Sequence, residues 1–189
     1  MAVARYDCAA ALLPNGQVLI AGGYANITQS TPINTTEIYN VASNSFTVGP
    51  TLGDARAAAH ATLLPNGKAL IAGGVDAANV VNSTELYDPS SGSFSPGPNM
   101  SNPRKNQTQV LLANGKVLIA GGYADNTGKL TSASTDLYDP ATNSITPGPG
   151  MSDSRGLAFA TLLPNGEVIV AGGVGTSIGI QNTTDLYTP

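Results

Sequence analysis

Apolar and polar positions follow one short pattern that returns four times along the chain. In each unit a small, partly apolar run precedes Asn-Gly, and a second, nearly continuous apolar run ends in Ala-Gly-Gly. A third run reads Thr, acid, apolar residue, Tyr, and in the first three units a short fourth run contains Phe or Ile. Such alternation is typical of half-buried strands, and sustained helical periodicity is absent. We therefore expect four antiparallel strands per unit, the first three near residues 8–13, 17–22 and 35–39 in the first unit.

The repeat has a period near 50 residues. NGQVLIAGG at 15–23 returns as NGKALIAGG at 66–74, NGKVLIAGG at 114–122 and NGEVIVAGG at 165–173. One arginine opens each unit, and successive arginines lie 51, 48 and 51 residues apart. Four strands per repeat of this length predict β-propeller blades, each of which buries its core against its neighbours. The chain is thus predicted to be one array, 1–189, of four units: 1–51, 52–99, 100–150 and 151–189.

An Asn-Gly pair between two apolar runs indicates a tight hairpin. Such a turn is expected to place both residues at positive φ, which glycine and asparagine tolerate. The Gly-Gly pair that ends the second strand is expected to let another backbone approach closely. The predicted turns are Asn15-Gly16, Asn66-Gly67, Asn114-Gly115 and Asn165-Gly166.

Three of these motifs together resemble kelch repeats: the Gly-Gly doublet after an apolar strand, Tyr-Asp-Pro after the third strand, and the arginine that opens each unit. The resemblance covers the whole chain and implies an all-β propeller of four-stranded blades. Kelch units usually carry a Trp in the fourth strand, where this chain has Phe46, Phe94 and Ile145. This departure favours a divergent, microbial version of the family. Kelch propellers usually close with six or seven blades, more than four.

The fourth unit stops after its third predicted strand, at Tyr187-Thr188-Pro189. Three explanations remain open: a piece of a longer propeller, a protomer whose terminal blades pack against other chains, or a closed four-bladed ring. In the first two, the terminal blades expose apolar faces that need a cap or a partner. We expect the chain to associate with itself, head to tail, into a ring or a filament.

Composition excludes several classes of function. Charged residues make up 11% of the chain, the net charge is −4, and no basic run is present, so no nucleic-acid partner is expected. No apolar stretch is long enough to span a membrane. Cys8 is the only cysteine, and its repeat equivalents Ala59, Gln107 and Ala158 indicate a packing thiol.

Catalytic chemistry finds little support. His60 is the only histidine and lies within a first strand, so a His-rich metal centre cannot be assembled. We predict no enzyme activity, cofactor or metal. Charges that recur once per unit indicate a structural arginine–carboxylate pair; the alternative is a ring of arginines that captures an anion. These repeated positions are Arg5, Arg56, Arg104, Arg155, Glu37, Glu85, Asp136 and Asp185.

All length variation lies between Gly-Gly and the third strand, in what would be the 2–3 loop of each blade. Loops on a rigid scaffold commonly carry binding, so this face is a candidate site for a ligand, a glycan or calcium. The alternative is an ordinary polar loop surface. The candidate binding residues are Tyr24, Asp54, Asp76, Tyr123, Asp125 and Asp153.

Six asparagines fit the N-glycosylation pattern, and the chain has few lysines and many Ser and Thr residues. We therefore expect an extracellular or cell-surface protein, with a cytoplasmic one as the alternative. The function indicated is a non-enzymatic structural or assembly module. The alternatives are a lectin-like domain that binds a ligand or glycan, and a propeller fragment of a larger enzyme. The possible glycosylation sites are Asn26, Asn34, Asn82, Asn99, Asn106 and Asn182.

Overall fold

The computed structural model describes residues 1–27, 31–176 and 179–189. In these ranges the chain is all-β, and no helix there is long and apolar enough to cross a membrane. The predicted fold class, a propeller of four-stranded kelch-like blades whose last sheet has three strands, is confirmed. Each blade is one antiparallel sheet in which sequence neighbours pair in order.

Blades one and two have the same four-stranded layout. Blade one contains β1 (Ala9–Leu12), β2 (Val18–Ala21), β3 (Thr36–Asn40) and β4 (Ser45–Val48). Blade two contains β5 (His60–Leu63), β6 (Ala69–Ala72), β7 (Thr84–Asp88) and β8 (Ser93–Pro96).

Blade three repeats this layout, and blade four has only three main strands in the described residues. Blade three contains β9 (Thr108–Leu111), β10 (Val117–Ala120), β11 (Thr135–Asp139) and β12 (Ser144–Pro147). Blade four contains β13 (Phe159–Leu162), β14 (Val168–Ala171) and β17 (Thr184–Tyr187). A small hairpin of β15 (Val174–Gly175) and β16 (Gly179–Ile180) lies within its 2–3 loop.

The blades pack face to face in chain order. The first strands β1, β5, β9 and β13 contact one another in that sequence, which places them along the inside of the array. Three apolar cores fill the seams between blades one and two, two and three, and three and four. No corresponding core joins blades four and one among the described residues, so the four blades form an open array.

The first hairpin of every blade differs from the predicted turn. The glycine has positive φ, 79° at Gly16 and 83° at Gly67, but the preceding asparagine does not. The Gly16 N–H donates to Leu13 O, and the Leu13 N–H donates to Gln17 O. This is a type I turn followed by a left-handed glycine, because a proline or alanine precedes the asparagine and favours negative φ there. The expectation of positive φ at Asn15, Asn66, Asn114 and Asn165 was wrong.

Because a side chain at φ near +83° is strained, Gly67→Val should lower the free energy of unfolding by about 1–2 kcal/mol. Urea denaturation of the purified chain measures this. Gly150→Val is the control, since its φ is not left-handed and a Cβ there would meet nothing closer than 3.7 Å. Equal stability of the two variants would contradict the turn geometry.

Candidate functional site

Each blade contains one arginine whose side chain is removed from solvent and hydrogen-bonded on several sides. In blade three, Arg104 Nη1 donates to Gly121 O (2.8 Å) and Ser134 O (2.9 Å). Its Nη2 donates to Ser134 Oγ (3.0 Å) and to Asp136 Oδ2 (2.8 Å). The guanidinium therefore ties the end of β10 to the start of β11 and to the acid within β11. The same set of bonds is formed by Arg5, Arg56 and Arg155.

The carboxylate that binds each arginine also accepts hydrogen bonds from the backbone that precedes that arginine. Glu85 accepts hydrogen bonds from the N–H groups of Gly53 (2.7 Å) and Asp54 (3.3 Å), which precede Arg56 in the chain. Glu37, Asp136 and Asp185 bind the equivalent backbone in their own blades. All four arginines are thus saturated at both Nη atoms inside their blades, and among the described residues their buried Nε atoms have no hydrogen-bond partner. These guanidinium groups are not open to an external anion.

A set of backbone hydrogen bonds joins each blade to the next. The second glycine of the doublet donates to the carbonyl of the next blade's arginine: Gly23 N–H to Arg56 O, and Gly74 N–H to Arg104 O, at 2.8 Å each. The first residue of the doublet must be glycine for steric reasons, because a Cβ on Gly22 would overlap Arg56 O. The expected close approach at Gly-Gly is therefore made to the adjacent blade. Gly122 donates to Arg155 O in the same way.

A second set of backbone hydrogen bonds between blades joins the residues that lie two positions after each arginine. None of these four residues is a glycine, yet all have left-handed φ, for example 55° at Ala58 and 56° at Leu157. The Ala58 N–H donates to Asp7 O, Asn106 N–H donates to Ala58 O, and Leu157 N–H donates to Asn106 O. In this conformation a residue such as Ala58 donates its N–H to the previous blade and accepts a bond from the next blade at its carbonyl. The strained φ therefore recurs at each seam.

Side-chain packing gives every blade two distinct apolar faces. The front face points to the next blade, as Ala9, Leu19 and Ile38 do in blade one. The back face points to the previous blade, as Tyr87 and Phe94 do in blade two. The two terminal faces have no described neighbour. By register, the front face of blade four contains Phe159, Leu163, Ile169 and Leu186, and the back face of blade one contains Leu12, Val18, Ile20, Tyr39 and Phe46.

These terminal faces expose large apolar side chains. On blade four, Phe159 is 83% exposed and Leu186 is 61% exposed, whereas Ile38, the equivalent of Leu186 in blade one, is 8% exposed. On blade one, Leu12 is 60% exposed, and its equivalent Leu111 packs in the core between blades two and three. The chain thus carries one unpaired front face and one unpaired back face.

Two of the predicted binding acids, Asp76 and Asp125, accept hydrogen bonds from the backbone of their own loops. Asp76 accepts the N–H groups of Ala78 and Asn79, both at 2.7 Å, and these hydrogen bonds lower the pKa of Asp76. Asp125 binds the Thr127 hydroxyl and the N–H groups that follow it, which lowers the pKa of Asp125. No group of three or more potential metal ligands is found in the described part of the chain.

The other predicted binding residues divide between surface and interior. Asp54 has an exposed carboxylate 3.9 Å from Arg56 Nη2, and Asp153 accepts a hydrogen bond from the Thr183 hydroxyl at 3.0 Å. Tyr24 is half-buried and stacks on Tyr6, with ring centroids 4.9 Å apart. Tyr123 is buried, and its ring lies against Gly156 of blade four. The structure therefore distributes these residues over the loops of all four blades and does not gather them into one cluster.

The remaining candidate residues lie in ordinary surroundings. His60 begins β5 on the inner side of the array, where partial removal from water lowers its pKa. Cys8 is half-buried, and burial raises the pKa of its thiol. Asn99 and Asn182 are exposed and Asn106 is half-buried. Asn26 is exposed, and Thr28 of its acceptor triplet lies outside the described residues.

Sequence reasoning missed the role of the asparagines before the third strand. Asn34 Nδ2 donates to Leu52 O (3.5 Å) and Asn82 Nδ2 donates to Met100 O (3.1 Å), so both side chains reinforce a seam. Their recurrence at one repeat position was a signal for this structural role. Sequence reasoning also missed the exposed apolar residues Phe159 and Leu186, although strand alternation alone would have placed them on one face.

Sheets of four strands that stack through repeated seams define this chain as a propeller-type repeat protein, a class that presents surfaces rather than a single cleft. The family model described as "Kelch motif" matches residues 5–53 and 56–101, together half of the chain. The chain belongs to the kelch-repeat family. Kelch repeats generally mediate protein–protein binding and are typically non-enzymatic, so the fold is that of a protein-interaction module. No match to a curated protein was found.

Arg104→Ala should lower the free energy of unfolding by about 3–5 kcal/mol, because it leaves a fully buried Asp136 carboxylate without its counter-ion. Urea denaturation again provides the measurement. Lys116→Ala in the same blade is the control: its pair with Asp139 (3.1 Å) is at the surface, and its loss should cost less than about 1 kcal/mol. A similar loss in both variants would contradict the structural role of the buried pair.

Acid should destabilise the fold through Glu37 and Asp185. Burial raises the pKa of each, but backbone hydrogen bonds and the neighbouring arginine outweigh it, so that both pKa values lie below their ordinary values of 4.5 and 3.8. A carboxyl with a lowered folded-state pKa stabilises the fold above its unfolded pKa, and that stabilisation is lost as the pH falls through the folded pKa. We expect the free energy of unfolding to decline below about pH 4.5.

Denaturation series between about pH 7 and about pH 3 test this expectation. Glu37→Gln removes one of the carboxyl groups whose pKa is lowered and should make the decline shallower. An unchanged pH dependence in that variant would contradict the role assigned to Glu37.

Proposed function

We propose that this chain is an extracellular self-assembling module whose copies join head to tail, the front face of blade four against the back face of blade one. One observation carries the proposal: the two unpaired faces are the two halves of an interface that the chain already forms three times within itself. A second copy is therefore a partner whose shape and chemistry the chain already contains.

The apolar content of the two faces supports this pairing. Within the chain, Leu19 and Ile38 of a front face pack against Ile71 and Tyr87 of the following back face. Blade four has Ile169 and Leu186 at the front-face positions, and blade one has Ile20 and Tyr39 at the back-face positions. Exposed apolar patches of this kind mark interaction surfaces, and their burial favours association.

The backbone at the two ends supports the same pairing. Within the described chain, Gly173 N–H and Gln181 O have no partner, although the equivalent groups of blades one to three bind the next blade's arginine backbone. On blade one, the N–H and C=O groups of Arg5 lack the partners that Arg56 has. The Gly173 N–H of one copy can therefore donate to Arg5 O of the next copy, whose Arg5 N–H can donate to Gln181 O of the first.

The consequence is a heterologous contact, which closes into a ring or continues as a filament according to the rotation between blades. Low charge favours such stacking, since 11% charged residues and a net charge of −4 give little repulsion between copies. For the location outside the cell, the support is the low lysine content and the recurrent N-x-S/T triplets, of which Asn99 and Asn182 are exposed. Recovery of the chain only from the cytoplasmic fraction of its source cells would contradict this location.

Light scattering and electron microscopy test the assembly. The purified chain should form particles heavier than its 19.0 kDa mass. Leu186→Asp disables the front face and Leu12→Asp disables the back face, and each variant alone should stay monomeric. Both residues are exposed, so neither change should prevent folding. Leu130→Asp is the control, because Leu130 is an exposed apolar residue in a 2–3 loop, away from both faces.

Mixing the two variants sharpens the test. One intact front face and one intact back face remain in the mixture, so a species of two chains should form and grow no further. Monomeric wild-type chain at high concentration, or assembly of either variant alone, would show that the faces do not associate in this way.

A further inference from the structure

Blade three departs from the repeat at one place on the inner side of the array. Shortly after Arg104 it carries the polar run Asn-Gln-Thr-Gln at 106–109. The same positions of the other blades hold mostly small or apolar residues: DCAA at 7–10, AAHA at 58–61 and LAFA at 157–160. Residues that recur in every blade serve the fold. A polar run that only blade three carries indicates a role that the other blades do not share.

A cavity of about 330 Å³ lies beside this run. All four residues line it, together with His60 of blade two and Leu157 and Phe159 of blade four, so three consecutive blades form its wall. These residues belong to first strands or to the segments that lead into them, and not to the 2–3 loops. The volume is at the lower end of the range found for small-molecule sites.

The amide of Gln107 is hydrogen-bonded at one end only. Gln107 is 1% exposed, and its Nε2 donates to Ala72 O of blade two (2.7 Å). Its buried Oε1 accepts no hydrogen bond from the described residues. A buried acceptor without a donor is costly, so a ligand group that enters the cavity and donates to Oε1 is favoured. The fold does not require this glutamine, since Ala59 and Ala158 occupy its position in blades two and four.

The cavity wall is held in place by bonds between blades. Gln109 Oε1 accepts from the Thr62 hydroxyl, and Gln109 Nε2 donates to His60 O, both at 3.1 Å. Asn106 has a left-handed φ of 51°, and its N–H donates to Ala58 O. A wall that is already ordered lowers the entropic cost of binding a ligand.

The chemistry of the wall suits an uncharged ligand that is rich in hydroxyl groups. The described residues that line the cavity include no Lys, Arg, Asp or Glu. The amide and hydroxyl groups of residues 106–109 can donate and accept, as sugar hydroxyls do. His60 is neutral at neutral pH, because burial lowers its pKa. Leu157 and Phe159, 52% and 83% exposed, offer an apolar surface to the C–H groups of a sugar ring.

We propose that this cavity binds one ring of a neutral carbohydrate, with Gln107 Oε1 accepting a hydrogen bond from a sugar hydroxyl and Leu157 and Phe159 in contact with the ring. The site lies on the inner wall of blades two to four, apart from the 2–3 loops. It does not depend on head-to-tail assembly.

NMR titration of the ¹⁵N-labelled chain with D-glucose and with D-mannose tests the proposal. The Leu12→Asp chain is used, because Leu12 does not line the cavity and its replacement keeps assembly out of the measurement. We expect saturable shifts of the amide signals of residues 106–109 and 157–160, with a Kd below about 10 mM for at least one sugar.

The corresponding sugar acids test the selectivity of the cavity. Glucuronic and mannuronic acid carry a carboxylate on the same ring as glucose and mannose. Each acid should bind at least about tenfold more weakly than its neutral sugar, because the cavity offers no cation to a buried carboxylate. This comparison leaves the chain unchanged, so it stays valid if a variant alters the fold.

Two glutamine variants locate the site. Gln107→Ala introduces the alanine of blades two and four and should weaken binding at least about tenfold. Gln181→Ala is the matched control and should leave the affinity unchanged. Gln181 is 7% exposed, its Nε2 donates to Ser154 O (2.8 Å), and its buried Oε1 also lacks a partner in the described chain. It does not line the cavity.

Four results would each overturn the proposal: no saturable shift with either sugar up to about 100 mM, shifts confined to the 2–3 loops, equal affinity for the neutral sugars and their acids, or equal effects of Gln107→Ala and Gln181→Ala. Sugar binding by a chain whose wild type never assembles would refute the assembly proposal alone. Assembly without sugar binding would refute the carbohydrate site alone.

Discussion

A buried arginine bound to a carboxylate is the interaction on which each blade depends. Two charges removed from water are tolerated only when their hydrogen bonds are satisfied, and here one guanidinium reaches two carbonyls, a hydroxyl and an acid. The acid in turn holds the backbone that leads to the arginine. Because the carbonyl of that same arginine accepts the bond from the previous blade, a pair that orders one blade also positions the surface on which its neighbour docks.

The unmatched surfaces in the described part of the array are the apolar faces of its two terminal blades. Faces such as that around Leu186 are apolar and match another blade over a broad area, which suits a second copy. They follow from repetition: the contact that the chain makes three times internally has one of its two halves on each terminal blade.

Much of the fold could be predicted from the sequence, because period and alternation report directly on strands and their burial. The positions of β1, β2 and β3 agree with the expected ranges. The conformation of Asn15 could not be obtained from the Asn-Gly pair, since the preceding Pro14 shifts the turn type. The partners of Asn34 and Asn82 depended on which backbone lies across a seam, a distance that sequence spacing does not encode. The loop acids at Asp76 and Asp125 suggested ligand binding by residue type alone, whereas their bonds are to their own loops.

The left-handed residues Asp7, Ala58, Asn106 and Leu157 have a consequence for how such an array changes in length. The backbone bonds that these residues make across a seam join the same repeat position in neighbouring units, so the side chains at these four positions are free to differ, and they do. A duplicated or deleted unit therefore leaves these backbone bonds in place at the remaining junctions. The number of blades is thus a quantity that evolution or protein engineering can alter by whole units without redesigning the backbone contacts between blades.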